Sequence, residues 1–202
     1  MDDVLLIEMN ESKPLDRVKM EEAFTIMGRY LLNRKALGEI AVYGGSAILL
    51  QFEWRTLSQD VDARIISDGN HGLIIEAVQY AARQLGLSSS WLNESVAMYA
   101  RRGEMDADRI FVGTYPSADR YGLRVTAAKP SYILAMKLKV LQRATAEDRD
   151  FNDAINPGVE CAVTTVEGLR EVFSRFFADE ELPFAAGLRL RELAAAIQAR
   201  RR

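Results

Sequence analysis

The chain has one cysteine, Cys161, and one histidine, His71. A single cysteine leaves no internal disulfide framework, and a reducing cytoplasm fits best. Cys161 reads as a small buried apolar residue. A single histidine excludes a multi-histidine zinc site, and His71 reads as a surface residue near a helix start. No apolar run reaches the ~18 residues that a membrane span needs, and no charged–apolar–small pattern opens the chain. No membrane partner is expected. There is no repeat and no low-complexity segment. A large charge of one sign is also missing: 26 basic residues stand against 29 acidic ones, a net charge of −3. That balance excludes a surface that grips nucleic acid over its whole extent and leaves room for a local basic groove.

What is present is an ordinary globular composition, 49% apolar and 27% charged over 202 residues. This length supports one domain, or one with a substantial appendage, and buries roughly 70% of the unfolded surface on folding. Met1 to Lys13 reads as a loose arm or an edge strand. From Pro14 to Leu37 the spacing of Val18, Ala23, Phe24, Met27, Tyr30 and Leu31 predicts a helix, with Pro14 in its first turn and Gly38 as its stop. Its Arg29, Arg34 and Lys35 read as a solvated face. Glu39 to Tyr43 reads as a strand, Gly45 to Phe52 as a two-turn helix, and Asp60 to Ile66 as a second strand. After a turn at 68–70, His71 to Leu85 reads as a helix ended by Gly86. Ser88 to Asp108 reads mostly as loop, with a short helix near Glu94 to Tyr99. Arg109 to Tyr115 and Leu123 to Ala127 read as strands joined by a turn. Four helices follow: Ser131–Ala144 opened by Pro130, Ala146–Ile155 stopped by Asn156-Pro157-Gly158, Val166–Ala178, and Phe184–Arg202. The expected class is α+β (α/β-like), a small mixed sheet flanked by helices with an all-helical C-terminal portion. The expected division is 1–128 for the α/β core with its N-terminal helix and 129–202 for a helical region packed on it.

Two stretches carry chemistry. In the first, Tyr43 to Ile66, a Gly44-Gly45-Ser46 turn precedes a strand bearing Asp60 and Asp62. Alternation along a strand points both carboxylates the same way, about 7 Å apart along the chain. Paired carboxylates suit Mg²⁺, which keeps waters and substrate phosphates as the rest of its shell. The turn can offer backbone N–H groups at a helix N-terminus to a phosphate. With 29 acids in 202 residues, about four acid-x-acid pairs arise by chance, and five occur: Asp60/Asp62, Glu104/Asp106, Asp106/Asp108, Asp148/Asp150 and Asp179/Glu181. Only the first lies in an apolar strand pattern after a glycine turn.

In the second stretch, Leu123 to Ile155, Lys137 sits among Ala135, Met136 and Leu138, a setting where lysine is rare without a partner. Asp150 and Asp153 lie three apart on one helix face. One reading is an interhelical ion-pair cluster joining Lys137 or Arg143 to Asp150. The other is Lys137 holding a nucleotide phosphate as a point charge, with an aspartate activating an acceptor or orienting the lysine.

Taken together, Gly44-Gly45-Ser46 followed by Asp60-Val61-Asp62 resembles the first motif of the nucleotidyltransferase superfamily, the polymerase-β-like minimal fold. Arg55-Thr56 and the later Pro130, Leu134-Ala135-Met136-Lys137-Leu138, Arg143, Arg149-Asp150 and Asp153 look like the AbiEii-type branch, which includes toxins of abortive-infection and toxin–antitoxin systems. The likeness covers roughly Ile40 to Ile155. It implies that Asp60 and Asp62 hold Mg²⁺ (or Mn²⁺), that Gly44, Gly45, Ser46, Arg55, Thr56 and Lys137 bind an NTP, and that Lys137 and Asp150 join Asp60 and Asp62 in catalysis. The implied activity is transfer of NMP from the NTP to an RNA, protein or small-molecule acceptor, and the AbiEii-type likeness extends this to action as a toxin with an antitoxin partner. Superfamily members often carry a third carboxylate on a later central strand. The candidate strands RIFVGTY and LRVTA contain none, although Asp106 and Asp108 lie just before the first. That lack motivates the alternative, a catalytically degenerate relative that binds a nucleotide or a partner protein. A tRNA acceptor would require a local basic surface, for which Arg55, Lys129, Lys137, Lys139, Arg143 and Arg101-Arg102 are the candidates.

Overall fold

The computed structural model describes residues 14–66, 69–98, 100, 105–142, 148–180, 182 and 187–201. The expected N-terminal arm, the helix starts at Ala146 and Phe184, and Arg101, Arg102 and Arg143 lie outside them. The described residues form a five-stranded mixed sheet and seven α-helices, so the class is α+β, as the sequence pattern predicts. The strands are β1 (Gly38–Val42), β2 (Val61–Ile65), β3 (Leu92–Asn93), β4 (Arg109–Pro116) and β5 (Tyr121–Ala128). Their order across the sheet is β3-β2-β1-β5-β4. β1 runs antiparallel to β2 and parallel to β5; β2 and β3 are parallel, and β4 and β5 form an antiparallel hairpin.

The helices are α1 (Arg17–Asn33), α2 (Gly44–Gln51), α3 (His71–Leu85), α4 (Pro130–Leu141), α5 (Asp148–Glu160), α6 (Val166–Phe176) and α7 (Gly187–Arg200). α1 starts later than Pro14 suggests, because the Asp16 carboxylate accepts the Lys19 N–H at 2.7 Å and caps it. Gly38 is no helix stop. It opens β1, and a Cβ there would stand 2.9 Å from both Ile74 Cγ1 and Leu31 Cδ1. The left-handed position after α1 falls instead to Lys35, at φ 55°. α3 has the predicted bounds, with Gly86 at φ 61° closing it.

The largest correction concerns α5, which runs through Asn156-Pro157-Gly158 to Glu160. Pro157 and Gly158 are buried. A Cβ on Gly158 would collide with the Ile197 side chain of α7, so the glycine is there for close helix packing. The helix ends a turn later, where Ala162 at φ 56° directs its own N–H to Val159 O and the Val163 N–H to Gly158 O, both at 3.0 Å.

One continuous cluster of buried side chains runs from Leu15 to Ile197 and joins the sheet to the C-terminal helices. Tyr132 of α4 is a junction: it meets Tyr43 edge-on at 6.2 Å and stacks on Phe176 at 4.9 Å. The N-terminus of α2 is thereby fixed against α4, and the Gln51 side-chain amide ties the other end of α2 to Ala128 O at 2.9 Å. Cys161 is only half-buried, and burial pushes its thiol up to about 11. His71 is exposed, as expected, and pairs with Glu94 at 2.9 Å.

Candidate functional site

The register of β1 and β2 builds the centre of the site. Val42 lies opposite Ala63, and the Tyr43 N–H continues the ladder to Asp62 O at 2.8 Å. The chain then turns at Gly44, φ 57°, and enters α2. A Cβ on Gly44 would stand 2.9 Å from Asp62 Oδ2, so only glycine lets the first turn of α2 lie against that carboxylate. The first intrahelical bond is donated by Ala47 to Tyr43 O, and Tyr43 provides no side-chain cap. The N–H groups of Gly44, Gly45 and Ser46 precede that bond, as the first N–H groups of a helix do.

Ser46 is buried. Its hydroxyl bonds Ser58 Oγ at 3.1 Å and donates to Asp60 O. Ser58 in turn exchanges two backbone hydrogen bonds with Leu15, at 2.7 and 2.8 Å. The Ser46 side chain therefore fixes the backbone that carries Asp60, and its share in holding a ligand would fall to its main chain. Thr56 is exposed in the loop before Ser58.

Asp60 stands just before β2 and Asp62 within it. β3 supplies their shared neighbour. Asn93 lies opposite Asp62 in the parallel ladder and donates its amide to Asp60 Oδ2 at 3.0 Å. It also favours the ionised form of Asp62 by hydrogen bonding. Burial raises the Asp62 carboxyl first and the charge of Asp60 raises it further; Lys137, Asn93 and Arg149 pull it down without cancelling the rise. β3 and Asn93 are the parts the sequence pattern does not disclose. The strand is two residues long and is defined by its partner, with the Val61 N–H bonded to Trp91 O at 2.7 Å. Asp106 and Asp108 lie elsewhere. They precede β4 at the far edge of the sheet, three strand spacings or about 14 Å from β2. The Asp108 carboxylate accepts the Met105 N–H at 3.0 Å, and Asp106 pairs with Arg109.

The second stretch arrives on α4 and α5. Lys137 Nζ donates to Asp150 Oδ1 at 2.8 Å and to Asp153 Oδ2 at 3.1 Å. Asp153 Oδ1 accepts Arg55 Nη1 at 2.6 Å. The Arg55 guanidinium lies against Gly45, where a Cβ would be 2.5 Å from Nη2. The result is a chain of alternating charge, Asp150–Lys137–Asp153–Arg55, with side chains 14–20% exposed. The ion-pair cluster is thus present and includes Asp153. Lys137 also lines an open cavity of about 260 Å³ together with Gly44, Asp62, Ser95, Arg149 and Asp150. The structure brings Gly44, Asp62, Lys137 and Asp150 to the lining of one cavity, whereas Gly45, Ser46, Arg55, Thr56 and Asp60 do not line it. Of the basic residues considered for an acceptor, Arg55, Lys137 and Lys139 each hold an acidic partner, the last being Glu180 at 2.6 Å.

A divalent cation suits the β2 pair. Asp62 is partly buried, and its carboxyl is raised first by that burial and then by the charge of Asp60; a hard cation would offset both. Among the described residues no group of three or more His, Cys, Asp or Glu forms a complete protein cage. Two carboxylates with ligand phosphates and water match the habit of Mg²⁺.

The chain matches no family model and no curated protein. Among solved structures it is similar to an antigenic nucleotidyltransferase-like protein from Paracoccidioides brasiliensis, at 16% identity over 89% of this chain and 95% of that one, with a TM-score of 0.43. No helix among the described residues is long and apolar enough to cross a membrane.

Proposed function

We propose that the chain is a nucleotidyltransferase that takes an NTP with Mg²⁺ or Mn²⁺ and moves NMP to a hydroxyl of an RNA, a protein or a small molecule. The observation that carries this is the contact of Asp62 with Gly44 at the first turn of α2, in a cavity that also holds Lys137. Asp60 and Asp62 would hold the metal, which supplies charge neutralisation at the phosphates. The first-turn N–H groups of α2 would face phosphate oxygens. Lys137 would add a point charge, and Asp150 would hold Lys137 in place. In the reaction the acceptor oxygen bonds to the α-phosphorus, the bond from that phosphorus to the pyrophosphate oxygen breaks so that pyrophosphate leaves, and the hydroxyl proton passes to solvent water. Such chemistry relies on positioning and electrostatics more than on covalent participation by the protein. As its finer form we propose a toxin of a toxin–antitoxin or phage-defence pair, acting in the cytoplasm.

The test uses NTPs labelled at the α-phosphate, incubated with Mg²⁺ or Mn²⁺ and total cellular RNA or protein. The parent should label an acceptor, and Asp60→Asn and Asp62→Asn should abolish labelling and metal-dependent thermal stabilisation while remaining folded. Absence of transfer to every acceptor pool would overturn catalysis. Growth arrest on expression, relieved by Asp62→Asn, is the outcome expected of a toxin.

A second reading, a non-catalytic module that binds a nucleotide or a partner protein, is favoured by one observation. The side chain bridging Asp60 and Asp62 is the neutral amide of Asn93. Nucleotide affinity that calorimetry finds unchanged by metal removal would select this reading.

A further inference from the structure

A second cleft opens between α1 and α3, with none of its residues lining the cavity at Asp62. It measures about 510 Å³ and is lined by Ile26, Arg29, Tyr30, Asn33, Arg34, Tyr80, Arg83 and Gln84. Three arginines line it and no carboxylate does, in a chain whose net charge is −3. Among the described residues Arg29 and Arg83 engage no acidic side chain. The cleft also has aromatic faces. Tyr30 and Tyr80 lie 5.0 Å apart, and the Arg34 guanidinium carbon sits 3.6 Å over the Tyr30 ring. The Tyr30 hydroxyl donates to Glu76 at 2.9 Å, which fixes the ring's direction. Tyr80 is 37% exposed, far more than a core tyrosine.

We propose that this cleft is a binding site for single-stranded nucleic acid, with bases stacked at Tyr80 and phosphates met by Arg29, Arg34 and Arg83. The pairing of planar rings with guanidinium groups selects that ligand class. Stacking on tyrosine tolerates any base, and arginine meets phosphate bidentately. A duplex keeps its base faces covered, an acidic peptide brings no ring with each charge, and a membrane surface would require exposed apolar side chains in place of Asn33 and Gln84.

The experiment is fluorescence anisotropy of labelled single-stranded RNA and DNA oligonucleotides with the full chain, without NTP or divalent metal. Heparin and a duplex of equal length serve as comparison probes. Single strands should bind with a log–log salt slope of about −2, as expected when three arginines each displace roughly 0.7 counterion. Tyr80→Ala should weaken binding about tenfold, and Tyr80→Phe should retain it. Arg29→Glu with Arg83→Glu should abolish it, with the fold checked by circular dichroism. No binding, equal binding of heparin and single strands, or a Tyr80→Ala protein that binds like the parent would each overturn the proposal. Because metal and NTP are absent from the assay, its outcome is separate from that of the transfer reaction.

Discussion

Replacing Asp153 by asparagine tests whether one carboxylate joins three segments of the chain. Asp153 Oδ1 meets Arg55 Nη1 at 2.6 Å and Oδ2 meets Lys137 Nζ at 3.1 Å, all with side chains 14–20% exposed. Asparagine keeps one acceptor oxygen and turns an NH₂ donor toward a cation. Arg55 then loses its charged partner, whereas Lys137 retains Asp150 at 2.8 Å. Breaking a buried pair by removing one partner costs about 3–5 kcal/mol. With solvent still reaching these groups and Lys137 still paired, the lower end applies, about 3 kcal/mol. Asp150→Asn removes one contact of a lysine that keeps another, and should cost about 1 kcal/mol. In a domain of this size each kcal/mol lowers Tm by about 2–4 °C, so the two variants should fall by about 6–12 °C and about 2–4 °C. Urea unfolding of both variants beside the parent measures the difference, with unchanged m-values showing that the denatured state is unaltered. Equal losses, or a loss below about 1 kcal/mol for Asp153→Asn, would refute the shared-anion argument. A double-mutant cycle with Arg55→Ala should return a coupling of about 1 kcal/mol or more.

Gly44→Ala should destabilise the protein by about 1–2 kcal/mol for its φ of 57° and displace the Asp62 carboxylate that a Cβ would meet at 2.9 Å, so the thermal shift on adding Mg²⁺ and NTP should shrink. Asn93→Asp removes the donor 3.0 Å from Asp60 and adds a third carboxylate. Its metal-free Tm at neutral pH should drop and its Mn²⁺ affinity by calorimetry should rise; an affinity equal to the parent's would count against the site as described. Asp62 gives a pH signature, because burial and Asp60 raise its carboxyl above the ordinary 3.8. Between 3.8 and the raised folded value the native state holds more protons than the unfolded chain, so this group costs stability as pH rises through that window and costs none below it. The stability of Asp62→Asn relative to the parent should therefore increase with pH across the window, and a decrease would contradict the assignment.

Much of this architecture is legible in the residues, and the exceptions have physical reasons. α3 is readable end to end because its apolar spacing and Gly86 are local signals. The strand that carries Asp62 is readable because alternation is local too, although it opens at Val61 and leaves Asp60 just before it. Asn156-Pro157-Gly158 misleads because its meaning is tertiary: the helix continues so that Gly158 can receive Ile197 from a helix about forty residues later. Gly38 misleads in the same way, its space being needed by Leu31 and Ile74. β3 has no pattern to read, since two residues cannot show a period and its identity comes from pairing with Val61 and Asp62. Asn93 is hidden with it, and so is the neutral bridge between the two carboxylates.

The charges of the site fall into two unequal halves, and this predicts how ligands should bind. At the start of β2, Asp60 and Asp62 repel each other, with an amide between them. On α4 and α5, Lys137 is held by two aspartates, yet its field still lowers the Asp62 pKa. A cation added at β2 removes repulsion there, but also opposes Lys137 across the cavity. A polyphosphate added near Lys137 must compete with Asp150 and Asp153, and by itself brings more negative charge to Asp62. Each ligand alone therefore meets an opposing charge that the other neutralises. Metal and nucleotide should bind with positive coupling of about 1–3 kcal/mol, about 5- to 150-fold in affinity, and the coupling should be equal in either order of addition. Calorimetric titration of NTP with and without saturating Mn²⁺, and of Mn²⁺ with and without a non-hydrolysable NTP, measures both sides of that cycle. Because metal also binds free triphosphate, the coupling must be taken after subtracting the metal–nucleotide affinity measured without protein. Coupling absent from the parent, or unchanged in Asp62→Asn, would show that the β2 pair and Lys137 do not serve one ligand.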